Sequence, residues 1–107
     1  MYVQVVNFNL KDTTDQEYRA LCDQDASVFG AMPGLVAKYW LADPETNTYG
    51  GVYLWESREA LDAYLHGEIW TAVQADPTLT NITSREYGIL EAPTRVTHGF
   101  REAAIAP

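Results

Sequence analysis

Few side chains in this 107-residue chain can move a proton or hold a charged group, so each can be weighed by itself. His66 follows the run Ala60-Leu61-Asp62-Ala63-Tyr64-Leu65. An imidazole that titrates near neutrality suits a general base beside a pocket, and a helix end also favours His through the macrodipole. His98 lies near the C-terminus, where it would either close over a pocket or stand in solvent. Lys38 can partner an enolate, or it can guard an edge strand against unwanted pairing. Arg85 can grip a carboxylate with two parallel hydrogen bonds, or pair with Glu86 or Glu91. Asn7 must satisfy its amide, either on a ligand or internally. Cys22 is the lone cysteine and falls on an apolar stripe with Tyr18 and Leu21, so it reads as an inert buried thiol.

Against these stand thirteen aromatic residues, seven Tyr, three Trp and three Phe. The three Trp and Tyr39, Tyr53, Tyr64 and Tyr87 can stack on a flat ligand, and a phenol can donate to a developing oxyanion. Half or more of them are expected to be core and interface. Metal chemistry finds no footing, because one Cys and two His give no set spaced for zinc or iron. A formal charge of −8 repels phosphate backbones and anionic membranes, which argues against a nucleic-acid or membrane partner. No apolar stretch approaches the ~20 residues that span a bilayer. With no possible internal disulfide, a soluble chain in the reducing cytoplasm is expected.

The elements that must position these residues follow from periodicity. Tyr2 to Leu10 alternates as a strand. Thr13 and Thr14 are N-cap candidates for a helix that ends before Met32-Pro33-Gly34. Leu35 to Leu41 and Thr48 to Trp55 form a hairpin about Asp43-Pro44-Glu45-Thr46-Asn47, with Gly50 and Gly51 marking a bulge or a close approach. Ser57 caps a helix through Leu65, Glu68 to Ala75 resumes as a short one, and Ile82 to Leu90 is the last strand. The order β-α-β-β-α-β is the ferredoxin-like α+β arrangement, a four-stranded antiparallel sheet with helices on one face. Residues 1–91 make this domain and 92–107 a C-terminal tail. Both parities of the strands carry apolar or aromatic groups, Val3 and Val5 against Val6 and Phe8, Val52 and Leu54 against Tyr53 and Trp55. Both faces therefore want cover, and a second copy packing sheet to sheet supplies it.

The run Pro33-Gly34-Leu35, Lys38, Trp40, Gly50-Gly51-Val52-Tyr53-Leu54-Trp55 and Ala60 to Leu65 resembles the YdhR-type monooxygenase family. That family belongs to the dimeric α+β barrel superfamily, with the antibiotic-biosynthesis monooxygenases and haem-degrading enzymes. The likeness is close from Pro33 to Leu65 and weaker through the fourth strand to Glu91-Ala92-Pro93. It implies the same fold, and a monooxygenase that uses no cofactor and acts on a hydrophobic, aromatic or polyketide-like small molecule. Set against the haem degraders, Asn7 matches their first-strand Asn, Tyr64 falls where they have Trp, and Gln74 replaces their iron-binding His. If that match holds, Val3, Val5 and Asn7 lie under the helices. Asn7, His66 and Tyr64 are then the expected catalytic residues, and Trp40, Tyr53, Trp70 and Arg85 the substrate contacts. A non-oxidative cyclase or isomerase, and a non-catalytic binding dimer, are the alternatives.

Overall fold

The chain folds, in a computed structural model that describes residues 1–100, as four strands and four helices. Strand β1 (Tyr2–Leu10) leads into helix α1 (Asp15–Gly30). Thr14 caps this helix reciprocally: its hydroxyl accepts from the Glu17 N–H at 3.1 Å, and the Glu17 carboxylate accepts from the Thr14 N–H at 3.0 Å. Strands β2 (Leu35–Asp43) and β3 (Thr48–Trp55) form the hairpin. Its turn is pinned to the end of β1 by Asn47, whose side chain donates to the Leu10 carbonyl at 3.0 Å and accepts from the Leu10 N–H at 3.2 Å. Helix α2 (Arg58–Leu65) is capped by Ser57, and α3 (Glu68–Ala75) follows after Gly67. Strand β4 (Leu79–Gly88) completes an antiparallel sheet in the order β2-β3-β1-β4. A fourth helix, α4 (Glu91–Val96), opens the stretch expected to be a tail, and the remainder of that tail, 101–107, lies outside the described residues.

The face beneath the helices belongs to the larger aromatics. Pairing of β1 with β3 sets Gln4 opposite Tyr53, Val6 opposite Gly51 and Phe8 opposite Tyr49, and these residues build the core with Phe29, Leu61, Tyr64 and Trp70. The expected assignment of Val3, Val5 and Asn7 to this side is therefore reversed. Gln4 is fully buried because its polar atoms are all used. It accepts from the Trp55 indole N–H at 3.1 Å and donates to the Ser84 hydroxyl at 3.0 Å, which donates onward to Glu86 at 2.8 Å. Asn7 can face the other way with no such network.

Strand β2 carries the irregularity that matters most. Leu35 pairs with Trp55, but Ala37 pairs with Leu54, so Val36 is an extra residue. Strict alternation from Leu35 would turn Lys38 and Trp40 outward with Val36. The bulge resets the parity, and Lys38 lands opposite inward-facing Tyr53 and Trp40 opposite Gly51.

Candidate active site

Between the sheet and helices α1 and α3 lies a cavity of about 380 Å³. Val6, Phe8, Gly50, Tyr53, Lys38 and Trp40 form its sheet side, Tyr18, Cys22, Asp25 and Phe29 its α1 side, and Ile69, Val73 and Asp76 its α3 side. Apolar and aromatic groups dominate, with a few polar atoms among them, the composition of a small-molecule pocket.

Among the described residues, Lys38 supplies the one amine that lines this cavity. Its Nζ lies 3.4 Å from the ring centroids of both Phe29 and Trp40 and 4.6 Å from that of Tyr53. The stem fits because residue 51 is glycine: a Cβ there would stand 3.2 Å from the Lys38 Cε and 3.2 Å from the Tyr53 ring. Among the described residues no carboxylate pairs with this ammonium. Burial lowers its pKa to about 7, against smaller opposing pulls from Cys22 and Asp25. Near neutral pH the site therefore holds both a free amine and its conjugate acid. Burial acts oppositely on the phenols of Tyr18 and Tyr53 and on the Cys22 thiol, pushing each up and keeping it protonated.

Of the residues expected from sequence, Trp40 and Tyr53 line this cavity. Tyr64 packs behind Tyr53, ring centroids 5.5 Å apart, and Trp70 packs behind Tyr64 at 5.9 Å. The Tyr64 hydroxyl is buried with no hydrogen-bond partner among the described residues. It borders a second cavity of about 360 Å³ with Met32, Trp55 and Glu68, and Ile69 separates the two spaces. His66 stands exposed at the end of α2, its Nδ1 2.8 Å from the Asp62 carbonyl oxygen, and lines neither cavity. Asn7 pairs with Gly50 and Thr83, and Arg85 with Val5, on the opposite face of the sheet. Asn7, His66 and Tyr64 are thus not brought together. His98 is exposed beyond α4. Phe29 has no place among the site residues expected from sequence, and Lys38, expected either to partner an enolate or to guard an edge strand, stands on the edge strand β2 but lines the cavity. The available signal was a Lys two residues before a Trp on a strand facing Gly51 and Tyr53.

Residues 3–100 match the family described as "Putative mono-oxygenase ydhR". No curated protein matches the chain. Solved structures that share its fold include the following three. NE2512 of Nitrosomonas europaea is 20% identical, with a TM-score of 0.71 over 85% of this chain and 90% of that one. SnoaB of Streptomyces nogalater, a cofactor-independent oxygenase crystallised as its N63A mutant, is 19% identical, with a TM-score of 0.64 over 85% and 94%. The heme-degrader MhuD of Mycobacterium tuberculosis is 20% identical, with a TM-score of 0.67 over 84% and 96%.

Proposed function

Because the chain belongs to the ydhR mono-oxygenase family, we propose that it oxygenates a flat, hydrophobic small molecule, aromatic or polyketide-like, in the Lys38 cavity without a cofactor. The observation that carries this reading is the Lys38 amine set among Phe29, Trp40 and Tyr53. SnoaB, of the same fold, is a cofactor-independent oxygenase. Heme, which MhuD binds, does not fit here: among the described residues no His lines the cavity, and its one soft donor, Cys22, is held as a thiol.

The substrate this site suits carries an acidic C–H, as in a methylene between two aromatic rings. Trp40 and Tyr53 hold the ring system, and the neutral Lys38 amine takes the proton. The ammonium so formed sits beside the delocalised carbanion and stabilises it among mostly apolar groups. The carbanion passes electrons to O₂ in single steps, and a carbon–oxygen bond closes to give a peroxide anion. That anion recovers the proton from Lys38. Loss of the second carbon-bound hydrogen as a proton, with cleavage of the O–O bond, leaves a ketone and water, so that R₂CH₂ and O₂ become R₂C=O and H₂O.

Oxygen uptake with an anthrone-type substrate tests the reading, with one O₂ expected per ketone formed. Lys38→Met should lower the rate by about 100-fold, the usual weight of a positioned base. A folded Lys38→Met protein with full activity removes the assignment, and turnover under strict anaerobiosis replaces it with cyclase or isomerase chemistry.

The working unit is proposed to be a homodimer. Supporting this is the sheet face away from the helices, where Val3, Val5, Val52 and Leu54 stay only partly covered and Val36, Tyr39 and Tyr87 are exposed.

A further inference from the structure

The chain has only two lysines, and their surroundings are opposite. Lys11 is exposed just past the end of β1. Lys38 directs its amine into the cavity, against three aromatic rings and with no carboxylate within ion-pair distance among the described residues. An unpaired amine in a largely apolar cavity of about 380 Å³ is the arrangement that makes lysine a nucleophile toward carbonyl carbon. We propose that Lys38 condenses reversibly with aldehydes or ketones whose aromatic body fills the cavity, so that the site captures carbonyl compounds as imines.

The reaction balances without a further reactant. The Nζ lone pair attacks the carbonyl carbon, the π pair moves to oxygen, and transfer of an amine proton to that oxygen gives the carbinolamine. The C–O bond then breaks, oxygen leaves as water with a second proton from nitrogen, and the N=C bond remains. Tyr18 and Tyr53, both kept protonated, line the cavity and supply neutral hydroxyl donors for the carbonyl oxygen. Rings beside the amine stack on the aromatic part, and an aldehyde without such a part gains nothing there.

This activity consumes no oxygen and stands apart from the proposed oxygenation. Its pH dependence follows the fraction of free amine, which rises through about pH 7. The titratable groups facing that amine are Tyr18, Cys22 and Asp25 from α1, Tyr53 from β3 and Asp76 from α3. The first two and Tyr53 stay neutral in this range, so the amine itself governs the profile.

The full chain is incubated with 2-naphthaldehyde and cyanoborohydride at neutral pH, then read by intact mass and peptide mapping. A single naphthylmethyl adduct is expected at Lys38, formed at least about 10-fold faster than at Lys11 or at the Met1 amine, which is tied to Glu91 at 3.1 Å. With glyceraldehyde, which has no aromatic body, the preference for Lys38 over the other two amines should shrink, because only the free-amine fraction remains to favour it. Labelling confined to Lys11 and Met1, or no faster at Lys38 than there, overturns the proposal. Because the three amines are compared within one wild-type molecule, the result does not depend on any variant folding. Trapping at Lys38 without oxygen uptake removes only the oxygenase reading, and oxygen uptake without trapping removes only this one.

Discussion

Lys38 places an ammonium where water can reach it only in part, and the thermodynamic consequence has a sign. In the unfolded chain the amine titrates near 10.5, and in the folded chain near 7. Between those values the unfolded form binds more protons, so stability rises with pH across that window, and the destabilisation is fully present below about 7. Lys38→Met should therefore stabilise the fold by about 1–3 kcal/mol at pH 7, with the gap closing toward pH 10. Urea unfolding of both proteins at a series of pH values measures this. A gap that stays constant with pH would mean that the amine is not desolvated. At this scale the sequence was partly legible. Trp40 and Tyr53 stand out by type and by proximity to Gly50-Gly51, and both line the cavity. Asn7 misled because alternation says only that two faces exist. Which face meets the helices is decided by pairing with β3 and by the Gln4 network, both long-range.

Elements were easier to read than their register. Strand β4 begins at Leu79, ahead of the expected Ile82, and helix α4 forms where no element was anticipated. The Val36 bulge was invisible, because an extra residue leaves no mark of its own in a run of apolar and aromatic side chains. It alone separates an edge-guarding Lys38 from one inside the cavity. The Gly50-Gly51 pair was flagged, and the structure gives each glycine its own reason. Gly50 has φ +151°, and a Cβ there would fall onto the Val6 carbonyl oxygen in the neighbouring strand. Gly50→Ala should consequently destabilise the sheet by about 3 kcal/mol, seen as a clear drop in melting temperature. Gly51→Ala meets the Lys38 Cε and the Tyr53 ring at 3.2 Å and the Tyr39 carbonyl oxygen at 3.3 Å, tight contacts but no overlap with backbone, so its melting temperature should fall by less. Equal losses at both positions would contradict this account of the β1·β3 contact.

At the scale of the molecule, the open sheet face is the surface on which the proposed dimer rests. Tyr39, Tyr87 and Val36 are 61%, 50% and 49% exposed, and they continue the strip made by Val5 and Val52. A copy of the same face is the complement that a twofold axis provides. Sedimentation at micromolar concentration should give twice the 12.0 kDa chain mass, and Val5→Asp should shift the species to monomer. Each copy carries a formal charge of −8, so added salt should tighten the pair rather than loosen it. A wild-type chain that sediments as a monomer would leave the exposed strip without the proposed occupant.

The three tryptophans occupy three distinct settings. Trp40 borders the cavity beside the amine, Trp55 is sealed with its N–H on Gln4, and Trp70 sits behind Tyr64. An arriving aromatic guest would meet the first indole directly and the other two only through intervening rings. Single Trp→Phe replacements would thus divide the protein's fluorescence into separate channels, one reporting occupancy of the chamber and another the integrity of the sheet. The molecule carries its own spectroscopic gauge, with no dye attached.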